Sequence, residues 1–263
     1  MNLQYKYWYF TSALPPLVCD RIIELGLTSM YDRKKQHGET AIIGSVGGWK
    51  QKQTAPEDAI PVNHDTVDDL VRRGIDTENT YVRDSNVTFL SNPELYDFIW
   101  PFIREANAKA GWNFDWDYTE DFQFTKYGVG QFYGWHTDSS DKPYRKFDPA
   151  VDKIHLNPDG TSFLDQWGEA HPEDHDVTTN PNMIGKIRKI SVTVSLNDPS
   201  QYDGGNLEFD LGPHRPDRYH TCTEIRPQGS IIVFPSHIHH RVTPVTRGTR
   251  YSLVCWNLGA PFK

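Results

Sequence analysis

The chain has 263 residues, of which 37% are hydrophobic and 34 are Phe, Tyr or Trp, enough to bury a large core and to exclude a mainly disordered or fibrous chain. Its 27 basic and 35 acidic residues leave a net charge of −8, which argues against a protein whose affinity rests on nucleic-acid phosphates. No apolar run exceeds four residues, so neither a membrane span nor a signal-peptide core is expected, the expected location is cytoplasmic, and the scattered Cys19, Cys222 and Cys255 are expected to be free thiols.

Behind Pro15-Pro16, the residues Val18, Ile22 and Leu25 recur at helical spacing and predict a helix from Pro16 that ends near Gly26. Met30 to Asp65 reads as irregular, with at most a short strand at Ala41–Ser45, and Asp65–Arg73 reads as a short helix. A further helix starts at Ser91-Asn92-Pro93, where a cap residue precedes proline, and carries Leu95, Phe98, Phe102 and Ala106 on one face before Gly111. Pro101 lies inside it and should kink or split it. Beyond this point the period changes. Short strands are expected at Phe122–Tyr127, Gln131–Trp135, Lys189–Leu196, Asn206–Leu211, His220–Ile225, Ser230–Phe234, His240–Val245 and Arg250–Asn257, separated by Gly, Pro, Asn and Asp. Such a run suggests a jelly roll or barrel, so the fold class is mainly β with flanking helices. Ile190, Val192, Val194 and Leu196 alternate with Ser191, Thr193 and Ser195, so one face of that strand packs and the other lines something polar. Between Ser139 and Ile187 lie 49 residues with five prolines, nine acidic residues and no periodicity, which read as a lid or a surface insertion.

The strongest chemical signal is Gly134-Trp135-His136-Thr137-Asp138. In an extended segment residues two apart share a side, so His136 and Asp138 can reach one metal ion. A His-x-Asp pair alone is common. It gains weight from a distal histidine among His237, His239 and His240, with Arg250 ten residues after His240. His240 is preferred because it directly precedes Arg241-Val242-Thr243-Pro244-Val245 and because Val242 on its face reads as interior, whereas His239 faces the other way. Two histidines and a carboxylate on one face of an octahedral Fe(II) leave three adjacent positions, enough for a bidentate 2-oxo acid and dioxygen. A guanidinium offers the far carboxylate of such an acid a planar partner. Arg250 is the candidate, and Ser252 shares its strand face. Iron, Asp138, a doubly charged oxo acid and Arg250 together carry no net charge, so the loaded site is not a buried charge.

These residues stand in an ordered series of motifs: Gln123-x-x-x-Tyr127, then Gly130 to Asp138, Asp203-Gly204-Gly205-Asn206-Leu207-x-Phe209, Gly229 to Ser236, and His240-x-Val242-Thr243-Pro244-Val245-x-x-Gly248-x-Arg250-Tyr251-Ser252-Leu253-x-x-Trp256. The series resembles the Fe(II)- and 2-oxoglutarate-dependent oxygenases of the prolyl 4-hydroxylase type, in particular the bacterial and phage proteins of the prolyl-hydroxylase-like branch. The resemblance runs from about Trp112 to Trp256. It implies a double-stranded β-helix, a cupin-like jelly roll, with His136, Asp138 and His240 as iron ligands and Arg250 as partner of the distal oxoglutarate carboxylate. It also implies that Tyr127 and Ser191 contact oxoglutarate, that Tyr133 and Trp256 meet the substrate, and that ascorbate serves as an accessory reductant. The segment after Asp138 is longer than the usual loop of that family and departs from its pattern.

The whole chain is read as one dioxygenase domain, with residues 1–111 a helical or mixed support and 112–263 the β-helix core interrupted at 139–187. The expected reaction is hydroxylation of an aliphatic C–H bond, with a prolyl residue of a peptide or protein as substrate. The acidic insertion suggests a cationic polypeptide partner. Rival readings are a small-molecule or free amino-acid hydroxylase, a zinc hydrolase on the same three ligands, and a non-catalytic jelly roll that binds a sugar or peptide. The hydrolase would have no use for the Arg250–Ser252 pair, and the binding module no use for the ligand set.

Overall fold

The structure is a computed structural model. It describes residues 3–37, 52, 55, 59–62, 72–73, 80–140, 142–154, 176–213 and 218–262. In chain order its elements are β1 (Trp8–Phe10), α1 (Pro16–His37), β2 (Ile60–Pro61), β3 (Thr80–Tyr81), β4 (Arg83–Asp84), β5 (Asn86–Leu90), α2 (Pro93–Lys109), β6 (Tyr118–Thr119), β7 (Phe122–Tyr127), β8 (Phe132–His136), β9 (Arg145–Lys146), β10 (Val177–Thr178), β11 (Ile187–Ser195), β12 (Tyr202–Gly204), β13 (Leu207–Asp210), β14 (Tyr219–Thr221), β15 (Ile231–Pro235), β16 (His240–Val242), β17 (Val245–Gly248) and β18 (Arg250–Gly259).

Two antiparallel sheets organise these strands. The larger has seven strands in the order β1-β15-β11-β18-β7-β5, with β6 beside β18. The smaller has five, in the order β14-β13-β16-β8-β4. Strands from the first 111 residues extend both: β1 and β5 close the two edges of the large sheet and β4 one edge of the small one. The amino-terminal region is therefore woven into the β core, beyond the supporting layer that its helices suggested.

The helices cover one face of the large sheet. Ile190, Val192, Val194 and Leu196 of the β11 segment join Leu253 and Cys255 of β18 and Phe122 and Phe124 of β7 in one cluster with Cys19, Ile22 and Met30 of α1 and Leu95, Ile99, Ile103 and Ala106 of α2. Burying each Val, Leu, Ile, Phe or Met side chain among them contributes about 1.5–3 kcal/mol. The alternation read in β11 is thus realised, with its serines on the other face. In α2 the buried stripe is Leu95, Ile99, Ile103 and Ala106, whereas Phe98 is 47% exposed. The expected face was rotated: spacings of three, four, four and of four, four, three fit the 3.6-residue period equally well, and only the position of the sheet decides which is covered. The helix also runs unbroken through Pro101. That residue is exposed, so water can satisfy the carbonyl that its missing N–H leaves free.

Gly26 does not end α1, which continues to His37. A methyl group there would overlap the Phe124 ring; the glycine lets the helix lie close on the sheet. The strand expected at His220–Ile225 is shorter, because Cys222 donates its N–H back to the Leu207 carbonyl and Thr223–Ile225 coil into a 3₁₀ turn before Pro227. The strand expected at His240–Val245 is split at Thr243-Pro244 into β16 and β17, which pair with different neighbours, as a proline without an N–H favours. The 139–187 segment is not wholly irregular: β9 and β10 pair in parallel register. Ala41–Ser45, and Asp65–Arg73 apart from Arg72 and Arg73, lie outside the described residues.

Candidate metal centre and active site

β8 and β16 are neighbours in the small sheet, and His136 and His240 face each other in register. Between the pairs His240↔His136 and Val242↔Tyr133 the β8 side carries one extra residue. This bulge turns both Tyr133 and His136 to the inner face, although three residues separate them. Gly134 permits it: its N–H donates to the Val82 carbonyl at 2.7 Å, and a Cβ there would strike the backbone of Val62.

Asp138 follows immediately after β8 and is anchored by its N–H to the Ser236 carbonyl at 2.9 Å. Its carboxylate reaches His136 Nε2 at 3.6 Å and His240 Nε2 at 3.5 Å, with all three side chains no more than 8% exposed. One ligand atom from each lies within 4.8 Å of the others, and this is the one group of three or more such side chains among the described residues. The Nδ1 atoms lie 2.8 Å from the Gly134 carbonyl in His136 and 2.9 Å from the Ile238 carbonyl in His240. A carbonyl can only accept, so each ring carries its proton on Nδ1 and offers the Nε2 lone pair inward. Burial lowers the His240 pKa to about 4, keeping the ring neutral. Burial alone would raise the Asp138 pKa, but His240, His136 and Arg188 outweigh it and hold the carboxyl well below the usual range. Two imidazoles and a carboxylate, all aimed at one point, form a donor set that fits Fe(II). His239 is exposed and His240 buried, as the sequence favoured.

Behind the triad lies the inner face of the large sheet. Ser191 Oγ donates to Asp138 Oδ2 at 2.7 Å and lies 2.9 Å from Ser236 Oγ. The hydroxyl expected to contact oxoglutarate is thus engaged with the carboxylate. Farther along β18, Arg250 is 2% exposed, donates from Nη1 to Ser252 Oγ at 3.2 Å, pairs in register with Tyr127 and holds its guanidinium 5.5 Å from the Tyr127 ring. Gly205 clears the way for it, since a Cβ there would come within 2.8 Å of Arg250 Cδ. Burial raises the Tyr127 pKa against the pull of Arg83 and Arg250, so the phenol stays protonated. Ser195 faces Ser252 across the strands, and its buried hydroxyl has no partner among the described residues.

Tyr133 stacks on His136, with ring centroids 3.5 Å apart. Trp256 pairs in register with Ser191, and its buried Nε1 has no acceptor among the described residues. All nine site residues named from the sequence therefore lie along one inner surface. Three further residues lie beside them. Arg83 covers the Tyr133 ring at 4.6 Å; Arg188 covers the Trp256 ring at 3.9 Å; and Glu120 accepts from Arg188 Nε and Nη2, both at 2.6 Å. Arginines and glutamates in isolation carry no motif. Only the strand pairings bring these three to the site.

Residues 122–257 match the family described as the 2OG-Fe(II) oxygenase superfamily. Two curated relatives are named PKHD-type hydroxylases. That of Paraburkholderia phytofirmans is 37% identical over 83 residues, 32% of this chain and 34% of the relative. That of Xanthomonas campestris pv. campestris strain B100 is 29% identical over 133 residues, 51% of this chain and 41% of the relative. The matches thus span about a third to two fifths of the relatives' length. Two solved structures share the fold. The viral collagen prolyl hydroxylase of Paramecium bursaria Chlorella virus-1 has a TM-score of 0.51 at 16% identity over 98% of each chain. A Pseudomonas putida prolyl-4-hydroxylase has a TM-score of 0.50 at 15% identity, covering 97% of this chain and 92% of that one. The architecture is the jelly roll of these enzymes, and the chain belongs to the 2OG-Fe(II) oxygenase superfamily.

Proposed function

We propose that the protein is an Fe(II)- and 2-oxoglutarate-dependent dioxygenase that hydroxylates an aliphatic C–H bond, with a prolyl residue of a peptide or protein as substrate. The observation that carries this reading is the placement of His136, Asp138 and His240, with both imidazoles locked as Nδ1–H tautomers, on the same inner surface as the buried Arg250–Ser252 pair. In this reading His136, Asp138 and His240 hold the metal and Ser191 steadies the carboxylate. Arg250, Ser252 and the Tyr127 hydroxyl hold oxoglutarate. When bound, the metal and oxoglutarate supply dioxygen activation, one oxygen atom entering the substrate and the other leaving in succinate as carbon dioxide is released.

Tyr133 and Trp256 flank the substrate. The orphaned Trp256 Nε1 favours a substrate that brings its own acceptor, as an extended peptide does with each carbonyl, because a buried donor left unpaired costs about 1–3 kcal/mol. The hydroxylase names of the relatives and the prolyl hydroxylase fold point the same way. Ascorbate is the accessory reductant and the 139–187 insertion a cover over the substrate.

The test is anaerobic loading of the protein with Fe(II) and oxoglutarate, then exposure to air with a proline-containing peptide library. Succinate formation with a mass gain of one oxygen on a peptide is the expected result. A failure of oxoglutarate to bind in the presence of metal overturns the reading.

A further inference from the structure

We propose that Arg83 seats a carboxylate carried by the substrate, so that the C–H bond presented to the triad lies beside an anionic group; this rests on the oxygenase reading above. Arg83 is 3% exposed and pairs in register with Tyr133. Its guanidinium covers the Tyr133 ring at 4.6 Å, and that ring in turn stacks on His136. One aromatic ring therefore separates this cation from the metal triad.

The guanidinium is incompletely satisfied. Its Nε donates to Ser85 Oγ at 2.8 Å, while Nη2 is buried without a partner among the described residues. No carboxylate among the described residues pairs with it. Asp84, its chain neighbour, takes Lys52 at 2.9 Å and Gln131 at 2.7 Å instead. The contrast with Arg188 is direct, because Glu120 closes that guanidinium with two bonds. A buried guanidinium without a counter-charge is costly, and its planar fork matches a carboxylate.

Charge counting leads to the same ligand. Iron, Asp138, oxoglutarate and Arg250 sum to zero, and Arg188 with Glu120 sum to zero, which among the described residues around the triad leaves the positive charge of Arg83. The cosubstrate does not supply its partner, since one oxoglutarate carboxylate belongs to the metal and the other to Arg250 and Ser252. A substrate carboxylate completes the balance, whereas a flanking lysine or arginine would double the surplus. The cationic partner suggested by the acidic 139–187 insertion is thus disfavoured at the site itself.

The probes are N-acetylproline against N-acetylprolinamide, and N-acetyl-Pro-Asp-NH2 against N-acetyl-Pro-Asn-NH2. Each is titrated calorimetrically into the full chain loaded with Zn(II) and 2-oxoglutarate, so that binding is read without turnover. A preference for N-acetylproline assigns a chain-terminal carboxylate, and a preference for the aspartyl probe a side-chain one. Either preference should be roughly ten- to a hundredfold, the range for one charge-assisted bond. It should collapse to within about twofold in Arg83→Gln and survive in part in Arg83→Lys, which keeps the buried cation. Oxoglutarate affinity should be unchanged in both variants, and thermal melts check that each is folded. Equal binding within both pairs, no binding of any probe, or a preference that survives Arg83→Gln overturns the proposal. Loss of oxoglutarate affinity in Arg83→Gln also overturns it by moving the guanidinium to the cosubstrate. Failure of the oxygenase reading shows separately, as wild-type protein that binds no oxoglutarate.

Discussion

On the helix-covered face of the large sheet, Val192, Val194, Leu253, Cys255 and Phe124 are packed against α1 and α2, while on the opposite face of the same three strands Ser191, Ser195, Ser252, Arg250, Thr125 and Tyr127 are equally buried and almost wholly polar. Both faces are buried, yet they differ in what completes them. The first is completed by the protein's own side chains. The second leaves Ser195 Oγ and Trp256 Nε1 without partners among the described residues, and so can accept polar groups from outside. A two-residue period lets one backbone serve both ends: the apolar face makes it rigid, and the polar face uses that rigidity to hold donors at fixed positions.

If this division is real, substitutions on the two faces should separate binding from stability. The largest effect is expected for Asp138→Ala beside the polar face, which should abolish succinate formation; a variant with full turnover would break the assignment at once. Next comes Phe124→Ala on the apolar face, which should cost about 3–5 kcal/mol of stability in a denaturant melt. Its metal affinity, measured where it remains folded, should match wild type. Arg250→Ala should raise the dissociation constant for oxoglutarate by about a hundredfold or more, since an unpaired buried carboxylate costs about 3–5 kcal/mol, with a much smaller change in melting temperature. Unchanged oxoglutarate binding would move the clamp to another cation. Gly26→Ala should destabilise by about 1–3 kcal/mol through overpacking, because the added methyl meets the Phe124 ring, and oxoglutarate titration should show no change. Ser195→Ala should have the smallest effect: a weakening of oxoglutarate binding by a few-fold, about 1 kcal/mol, if its hydroxyl meets the bound acid. A more stable variant with wild-type binding would instead mark that hydroxyl as idle.

Legibility in the sequence followed the range of the interaction. The alternation in Ile190–Leu196 was enough to separate the two faces of β11, because a strand's period is local. His136 and Asp138 were legible as a pair for the same reason. The face of α2 was misjudged, since Phe98 and Ile99 are both apolar and only the position of the sheet decides which one is covered. Gly26 was read as a helix end although its role is to admit Phe124, a residue 98 positions away in the chain.

The sequence by itself determined the candidate ligand types, the order of the motifs, the placement of Arg250 and Ser252 on one strand face and the β-rich core, because each depends on residue chemistry at short spacing. Tertiary structure alone decided the rest. The β8 bulge turned Tyr133 and His136 to one side, strand pairing set His240 opposite His136, and β4 brought Arg83 beside Tyr133. Arg83 and Tyr133 stand 50 residues apart in the chain and become neighbours only through backbone hydrogen bonding between strands. No periodicity within either segment encodes that pairing, so the charge that we assign to substrate selection could be found only once the sheet was assembled.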